Sequence, residues 1–77
     1  NPFNPSTEIQ FNLPIEEYVH LSAYDVRGQK VDVIFEGIQS SGQHSYTWNA
    51  EMFPSGVYYI RLQAGSMVSN QKALLIK

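Results

Sequence analysis

Polar and apolar residues alternate along most of this chain, and this two-residue period limits its fold more than any other feature. The alternation is clearest from Val57 to Ala64. One set of side chains there comprises Tyr58, Ile60, Leu62 and Ala64, and the other comprises Val57, Tyr59, Arg61 and Gln63. Successive side chains of a strand point to opposite faces, so this segment is predicted to be a half-buried β-strand.

A turn is predicted immediately before that strand, at Phe53-Pro54-Ser55-Gly56. Pro54 presets φ for the second position of a turn, and Gly56 supplies a left-handed residue at its exit. We therefore expect a tight turn that opens directly into the strand.

The same alternation recurs along the chain, interrupted by residues typical of turns. The predicted strands are 8–13, 18–24, 29–35, 44–49, 57–64 and 67–76. Short strands at this spacing are typical of an all-β antiparallel sandwich of about seven strands, with a five-stranded barrel as the alternative. We expect inward-facing side chains at Ile9, Phe11 and Leu13, at Val19, Leu21 and Ala23, and at Trp48 as the centre of the core.

Three connections and one irregularity are also predicted. Asp25 to Gly28 is expected to form a hairpin turn and Gly65-Ser66 a two-residue connection, while residues 36–43 are expected to form a loop. In the third strand, Val31, Val33 and Phe35 alternate with polar neighbours until Ile34 breaks the pattern. This break indicates an edge position or a β-bulge.

Composition excludes several classes of protein. The length of 77 residues allows a single domain, 1–77. The net charge of −2, with only 5 Lys and Arg, argues against nucleic acid as a partner. No apolar run is long enough for a membrane span. With no Cys, the chain has neither a disulfide nor a thiolate nucleophile.

No pattern in the chain is typical of an enzyme. The 2 His residues have no metal-ligand spacing, and there is no nucleophile elbow or glycine-rich phosphate loop. Asp25, Asp32 and Glu36 could meet in space, but no loop spacing predicts a calcium site. We therefore predict no catalytic residue, no cofactor and no metal site.

Exposed tyrosines are the one surface signal. Tyr18, Tyr24 and Tyr59 lie on strand faces that the alternation marks as outward. Such rings can stack on sugars, because they combine apolar area with a polar tip. They are equally explained by packing at the rim of the sandwich or against a neighbouring domain.

Short motifs occur in a fixed order along the chain: Asn1-Pro2-Phe3-Asn4-Pro5-Ser6-Thr7 followed by Ile9-x-Phe11-x-Leu13-Pro14, then Tyr24-Asp25-Val26-x-Gly28, Gly42-x-His44, Trp48, Pro54-Ser55-Gly56-Val57-Tyr58-Tyr59-x-Arg61-Leu62 and Lys72-Ala73-Leu74-Leu75-Ile76-Lys77. In this order they resemble a known family, the type A C-terminal sorting domains of the bacterial type IX secretion system. The resemblance covers essentially the whole chain. The Ig-like domain of flagellar hook-capping proteins looks similar. Ile60 departs from the pattern, since the family often has an aromatic residue there.

The resemblance implies an Ig-like sandwich that acts as a non-catalytic secretion and sorting module. Such a module lies at the C-terminus of a larger secreted protein, after an upstream catalytic domain. Its implied partners are the outer-membrane translocon and a sortase-like peptidase. The implied destination is secretion or the cell surface, through the periplasm of a Gram-negative bacterium.

By the same resemblance, the sorting-signal candidates are Gly56, Val57, Tyr58, Lys72 and Lys77. These residues also have a purely structural explanation, as a turn glycine, a core tyrosine and lysines that protect a strand edge. The alternative function is an accessory carbohydrate-binding or structural module of a polysaccharide-degrading enzyme, with Tyr18, Tyr24 and Tyr59 stacking on sugars.

Overall fold

The chain folds into a two-layered β-structure in the computed structural model, which describes residues 2–3 and 5–77. The strands are β1 (Pro2–Phe3), β2 (Ser6–Leu13), β3 (Glu17–Tyr24), β4 (Lys30–Gln39), β5 (Gly42–Asn49), β6 (Gly56–Ala64) and β7 (Met67–Leu75). The prediction of an all-β antiparallel sandwich is confirmed. Among the described residues, no helix is long and apolar enough to cross a membrane.

The strands form two sheets with an immunoglobulin-like order. One sheet runs β1-β7-β6-β3-β4 and the other pairs β2 with β5. In the larger sheet, the adjacent strands β7, β6 and β3 correspond to strands G, F and C of the immunoglobulin fold. In the smaller sheet, β2 and β5 correspond to strands B and E. The short β1 pairs with β7 in parallel, whereas the other pairs are antiparallel.

The core lies between the two sheets and is built from the faces that the alternation predicted. Among residues 5–77, fourteen buried apolar residues fill it: Ile9, Phe11, Leu13, Val19, Leu21, Ala23, Trp48, Ala50, Tyr58, Ile60, Leu62, Ala64, Ala73 and Leu75. Trp48 is only 2% exposed, in agreement with its predicted central place. Burial of this apolar surface is the main force that holds the sheets together.

The edge strand β4 carries the irregularity predicted at Ile34. Leu21 pairs with Phe35 and Ser22 with Val33, so Ile34 is an extra residue on β4. The bulge turns Val33 outward, where it is 48% exposed, instead of keeping it on one face with Phe35 as the alternation predicted. A bulge adds one residue to one strand, and a period-two pattern cannot continue through it.

The predicted loop at 36–43 is wrong. β4 continues to Gln39 and β5 begins at Gly42, so only Ser40 and Ser41 connect them. The pairing of Glu17 with Gln39 and of Tyr18 with Ile38 supplies the reason. Backbone hydrogen bonds to β3 extend the strand through residues whose composition is typical of a loop.

The connection before β6 also differs from the prediction. Its hydrogen-bonded turn spans Ala50 to Phe53, where the Phe53 N–H donates to the Ala50 carbonyl at 3.0 Å. Gly56 is the first residue of β6 and has φ 154°, which is not the left-handed helical value expected at a turn exit. The other two turns form as predicted, at Asp25–Gly28 and at Gly65-Ser66.

Candidate functional site

The motif at the start of β6 and the motif at the end of β7 lie side by side. Gly56 pairs with Leu75, Val57 with Leu74, and Tyr58 with Ala73. Antiparallel pairing places the first residues of one strand opposite the last residues of its neighbour. Two segments that are separate in sequence therefore form one end of the sheet.

The beginning of the chain reaches the same place. β1 pairs in parallel with the end of β7, with Pro2 opposite Leu74 and Phe3 opposite Leu75. The backbone of Pro2 and Phe3 thus borders the last motif, on the side of β7 away from β6.

Tyr58 holds the connection before β6 in place. Its hydroxyl donates a 2.6 Å hydrogen bond to the Pro54 carbonyl, and its side chain is buried. A tyrosine near the start of strand F that bonds back to the preceding backbone is the tyrosine corner of immunoglobulin-like sandwiches. Its ring lies edge-on to Trp48, with centroids 5.5 Å apart, and 6.3 Å from Phe53.

The hairpin turn after β3 forms one wall of a shallow groove at this end. The groove has a volume of about 370 Å³ and is lined by Asp25, Val26 and Arg27 on one side and residues 54–58 on the other. Burial raises the pKa of the Tyr58 hydroxyl above its ordinary value, and the negative charge of Asp25 raises it further. The third motif of the chain is therefore also part of this end.

Asp25 organises that turn. Its Oδ1 accepts hydrogen bonds from the backbone N–H groups of Arg27 at 2.9 Å and Gln29 at 3.0 Å. The bond from Gln29, then the bond from Arg27 and the nearby Arg27 guanidinium, hold the pKa of the Asp25 carboxyl below its ordinary value. Gly28 closes the turn with φ 82°, a left-handed conformation that glycine adopts without a Cβ clash.

Three of the residues at the surface of this end form what we call the terminal strip: Val57, Leu74 and Lys77. Val57 is half-buried, and its partner Leu74 is 37% exposed. The Lys77 backbone N–H donates to Ser55 Oγ at 3.1 Å, and its Nζ donates to the Glu51 carbonyl. The last residue is thus attached to the connection that precedes β6.

The structure brings four of the five sorting-signal candidates together. Gly56, Val57, Tyr58 and Lys77 meet at this end, whereas Lys72 lies opposite Tyr59, farther along β7. Tyr58 faces the core and the terminal strip faces outward. The candidates therefore divide into residues that build the fold and residues that a partner can contact.

The three surface tyrosines do not form one group. Tyr24 and Tyr59 are direct neighbours across β3 and β6. Tyr18 is at the other end of β3, about 20 Å away at the rise of a strand, and donates to Glu36 at 3.2 Å. The predicted outward faces are confirmed for Tyr18 and Tyr59, which are 47% and 39% exposed, and Tyr24 is half-buried.

The acidic residues considered for calcium are engaged separately. Asp32 accepts a 2.9 Å hydrogen bond from Trp48 Nε1, and Glu36 lies 3.8 Å from His20. Asp25 is occupied within its own turn. In residues 5–77, no three side chains of His, Cys, Asp or Glu converge as metal ligands would.

Comparison with known proteins finds a family whose pattern spans the whole chain. The model of the secretion system C-terminal sorting domain matches residues 1–77. The chain belongs to this family. Searches of the curated proteins and of the solved structures found no significant match.

Membership gives the domain its general role. Domains of this sorting family are C-terminal signals for type IX secretion, and they are in general non-catalytic. Protein transport, leading to secretion or to the cell surface, follows from the family.

Sequence reasoning missed three residues of this site. Ser55, Glu51 and Leu74 each contact or pair with a signal candidate. Ser55 and Leu74 lie inside the motifs, and the alternation of the last strand could have marked Leu74 as outward. Glu51 contributes only a backbone carbonyl, for which no side-chain pattern exists.

Proposed function

We propose that this sorting domain is the C-terminal module of a larger secreted protein and directs it across the outer membrane to the cell surface. The cargo reaches the outer membrane through the periplasm of a Gram-negative bacterium. There the domain is recognised by the secretion translocon and by a sortase-like peptidase. Residues 1–77 act as one unit attached to an upstream catalytic domain.

The observation that supports this proposal is the meeting of the family's motifs at one end of the sandwich. The Gly-Val-Tyr segment, the final segment and the Asp25 turn are separate in sequence but adjacent in space. The terminal strip gives this end an apolar surface with one cationic end group, and none of its three side chains is in the core. We propose that the translocon contacts the terminal strip.

The experiment fuses residues 1–77 to an exported reporter in a bacterium with type IX secretion. Leu74→Ser and a variant lacking Lys77 are expected to reduce the amount of reporter at the cell surface at least about tenfold. The reporter that is not exported should remain in the periplasm. Val68→Ser is the matched control, because Val68 lies outward on the same strand and is 48% exposed. It should export like the parent.

Folding is measured in parallel, by circular dichroism of the purified variants. Equal export by Leu74→Ser, the variant without Lys77 and the parent would refute the role of the terminal strip. An equal loss of export in Val68→Ser would show instead that export requires the whole of β7 and not the terminal strip in particular. Failure of the unaltered domain to export the reporter would refute the sorting proposal itself.

A further inference from the structure

We propose that the outward face of the five-stranded sheet binds acidic polysaccharides. The site is a row of side chains that we call the Lys–Tyr row: Lys72, Tyr59, Tyr24 and Lys30, with Arg61 beside it. This inference does not depend on the sorting function, because it uses the face of the sheet and not the terminal strip.

Strand register creates the row. Tyr59 pairs with Lys72 on β7 and with Tyr24 on β3, and Tyr24 pairs with Lys30 on β4. Directly paired residues point to the same face of a sheet. The row therefore crosses four strands, about 14 Å at the usual strand spacing, with two aromatic rings between two ammonium groups.

The guanidinium group of Arg61 adds several hydrogen-bond donors next to the two tyrosines. Two shallow depressions, of about 90 and 310 Å³, both have Tyr24 and Arg61 in their walls. Lys30 and Gln63 line the smaller one, and Tyr59 and Asn70 line the larger one. Ammonium, guanidinium and amide donors thus surround the two rings on a surface open to a chain-like ligand.

The local charge is opposite to the charge of the whole chain. The protein has a net charge of −2, yet three of its 5 Lys and Arg lie in or beside the row. Of the carboxylates nearby, Asp25 lies in the wall of the larger depression, where the amides of its own turn and the Arg27 guanidinium engage it. Glu36 lies next to His20 and Tyr18. The row therefore presents positive charge to an approaching anion.

Each part of a uronic acid unit has a counterpart in the row. The apolar face of a pyranose ring can stack on a tyrosine, whose hydroxyl also offers a polar contact. The carboxylate can accept charge-assisted hydrogen bonds from lysine or bidentate bonds from arginine. Two rings side by side with cations at both ends match a polymer in which every unit has a ring and a carboxylate.

Other polyanions fit less well. Nucleic acid binding requires many cations, and this acidic chain has few. An anionic membrane surface attracts clusters of four to eight Lys and Arg, which this face does not have. The two adjacent aromatic rings favour a sugar polymer.

The test is affinity electrophoresis of the 77-residue chain in gels that contain polygalacturonate, with neutral galactan as the reference polymer. Retardation is expected in polygalacturonate only. Tyr59→Ala, Tyr24→Ala and Arg61→Gln should each raise the apparent Kd about tenfold or more, since each removes a stacking surface or a charged donor. Salt should weaken binding without abolishing it, because stacking is not screened.

Matched controls lie elsewhere on the domain. Tyr18→Ala removes an exposed ring on the same face, and Lys77→Gln removes an exposed cation outside both depressions. Both should stay within about twofold of the parent. Circular dichroism establishes that each variant is folded. If Tyr59→Ala destabilises the chain, Tyr59→Phe takes its place as a test, because it keeps the ring and should retain binding.

Several outcomes would overturn the proposal. They are equal retardation in galactan, equal weakening by the control variants, or unchanged binding after loss of both tyrosines. Preferential binding to vesicles of anionic phospholipid over polygalacturonate would assign the face to membranes instead. Absence of retardation at millimolar uronic acid content would show that the row has no such ligand.

Discussion

The hydroxyl of Tyr58 donates a 2.6 Å hydrogen bond to the carbonyl of Pro54, four residues earlier in the chain. This bond fixes the connection between β5 and β6 against the strand that it enters. It gives the Gly-Val-Tyr motif of the sorting domain a structural role, because Tyr58 is buried between the sheets and contacts Trp48. Because Tyr58 is only 5% exposed, its neighbours carry most of the surface that a partner can contact.

Tyr58→Phe is expected to lower the free energy of unfolding by about 1–1.5 kcal/mol. The ring remains in the core, but the Pro54 carbonyl loses its donor. Each kcal/mol corresponds to about 4–8 °C in Tm for a domain of this size, so calorimetry will detect the change. Tyr59→Phe, one residue along on the outward face, should change stability by less than about 0.5 kcal/mol. Equal effects of the two substitutions would contradict the assigned role of the Tyr58 hydroxyl.

Gly56→Ala is expected to destabilise the domain by about 1–2 kcal/mol through the backbone alone. Gly56 has φ 154°, which residues with a Cβ rarely adopt, and a Cβ there would meet no atom within 4 Å. Urea unfolding measures the change in midpoint, and an unchanged m-value would show that the compactness of the two states is the same. Gln63→Ala, on the exposed face of the same strand, is the control and should be nearly neutral. A neutral Gly56→Ala would show that the strand relaxes at its first residue.

Asp32→Ala is expected to cost about 1–3 kcal/mol, because it removes the carboxylate that accepts the 2.9 Å hydrogen bond from Trp48 Nε1. Asp32→Asn keeps an acceptor oxygen, so its free energy of unfolding should fall clearly less than that of Asp32→Ala. Thermal unfolding followed by Trp48 fluorescence measures both variants, since this is the single Trp of the chain. If Asp32→Ala and Asp32→Asn lower the stability equally, the hydrogen bond to Trp48 contributes nothing to it.

The Asp25 turn should make stability depend on acid pH. Its folded pKa is depressed below 3.8 by the Gln29 and Arg27 amides, so the unfolded state binds a proton first as pH falls. The stabilisation is present above the unfolded pKa and is lost as pH falls from about 4 through the folded pKa. Asp25→Asn should therefore flatten the stability profile below about pH 4, as measured by Tm at pH 2.5 to 6. A profile that keeps the parent's slope in this window would contradict the role of Asp25.

Much of the fold follows from local pattern. The alternation at Ile9, Phe11 and Leu13, and again at Val19, Leu21 and Ala23, predicts the side of each strand that enters the core. The turns at Asp25–Gly28 and Gly65-Ser66 follow from residues whose side chains or backbone freedom favour a turn. These features can be predicted without knowing which strands pair in space, because each depends on a few consecutive residues.

The errors lie where distant pairing overrides local preference. Residues 36–39 look like a loop in composition, yet they extend β4 because β3 offers a free edge beside them. The bulge at Ile34 reverses the faces of Val33 and Asp32, and Asp32 thereby reaches Trp48. A bulge is detectable as a break in the pattern, but the residues whose faces it reverses depend on the pairing with β3 on either side of it.

The sequence by itself determined the strands, most of the core and the motifs of a sorting domain, since a period of two residues and turn chemistry are local properties. Only the tertiary structure decided which motifs meet. The register of β6 against β7 places Val57 beside Leu74 and turns Tyr58 inward, and the register across four strands lines up Lys72, Tyr59, Tyr24 and Lys30. Register depends on hydrogen bonds and packing between strands that are distant in sequence, and therefore no pattern within a single strand contains it.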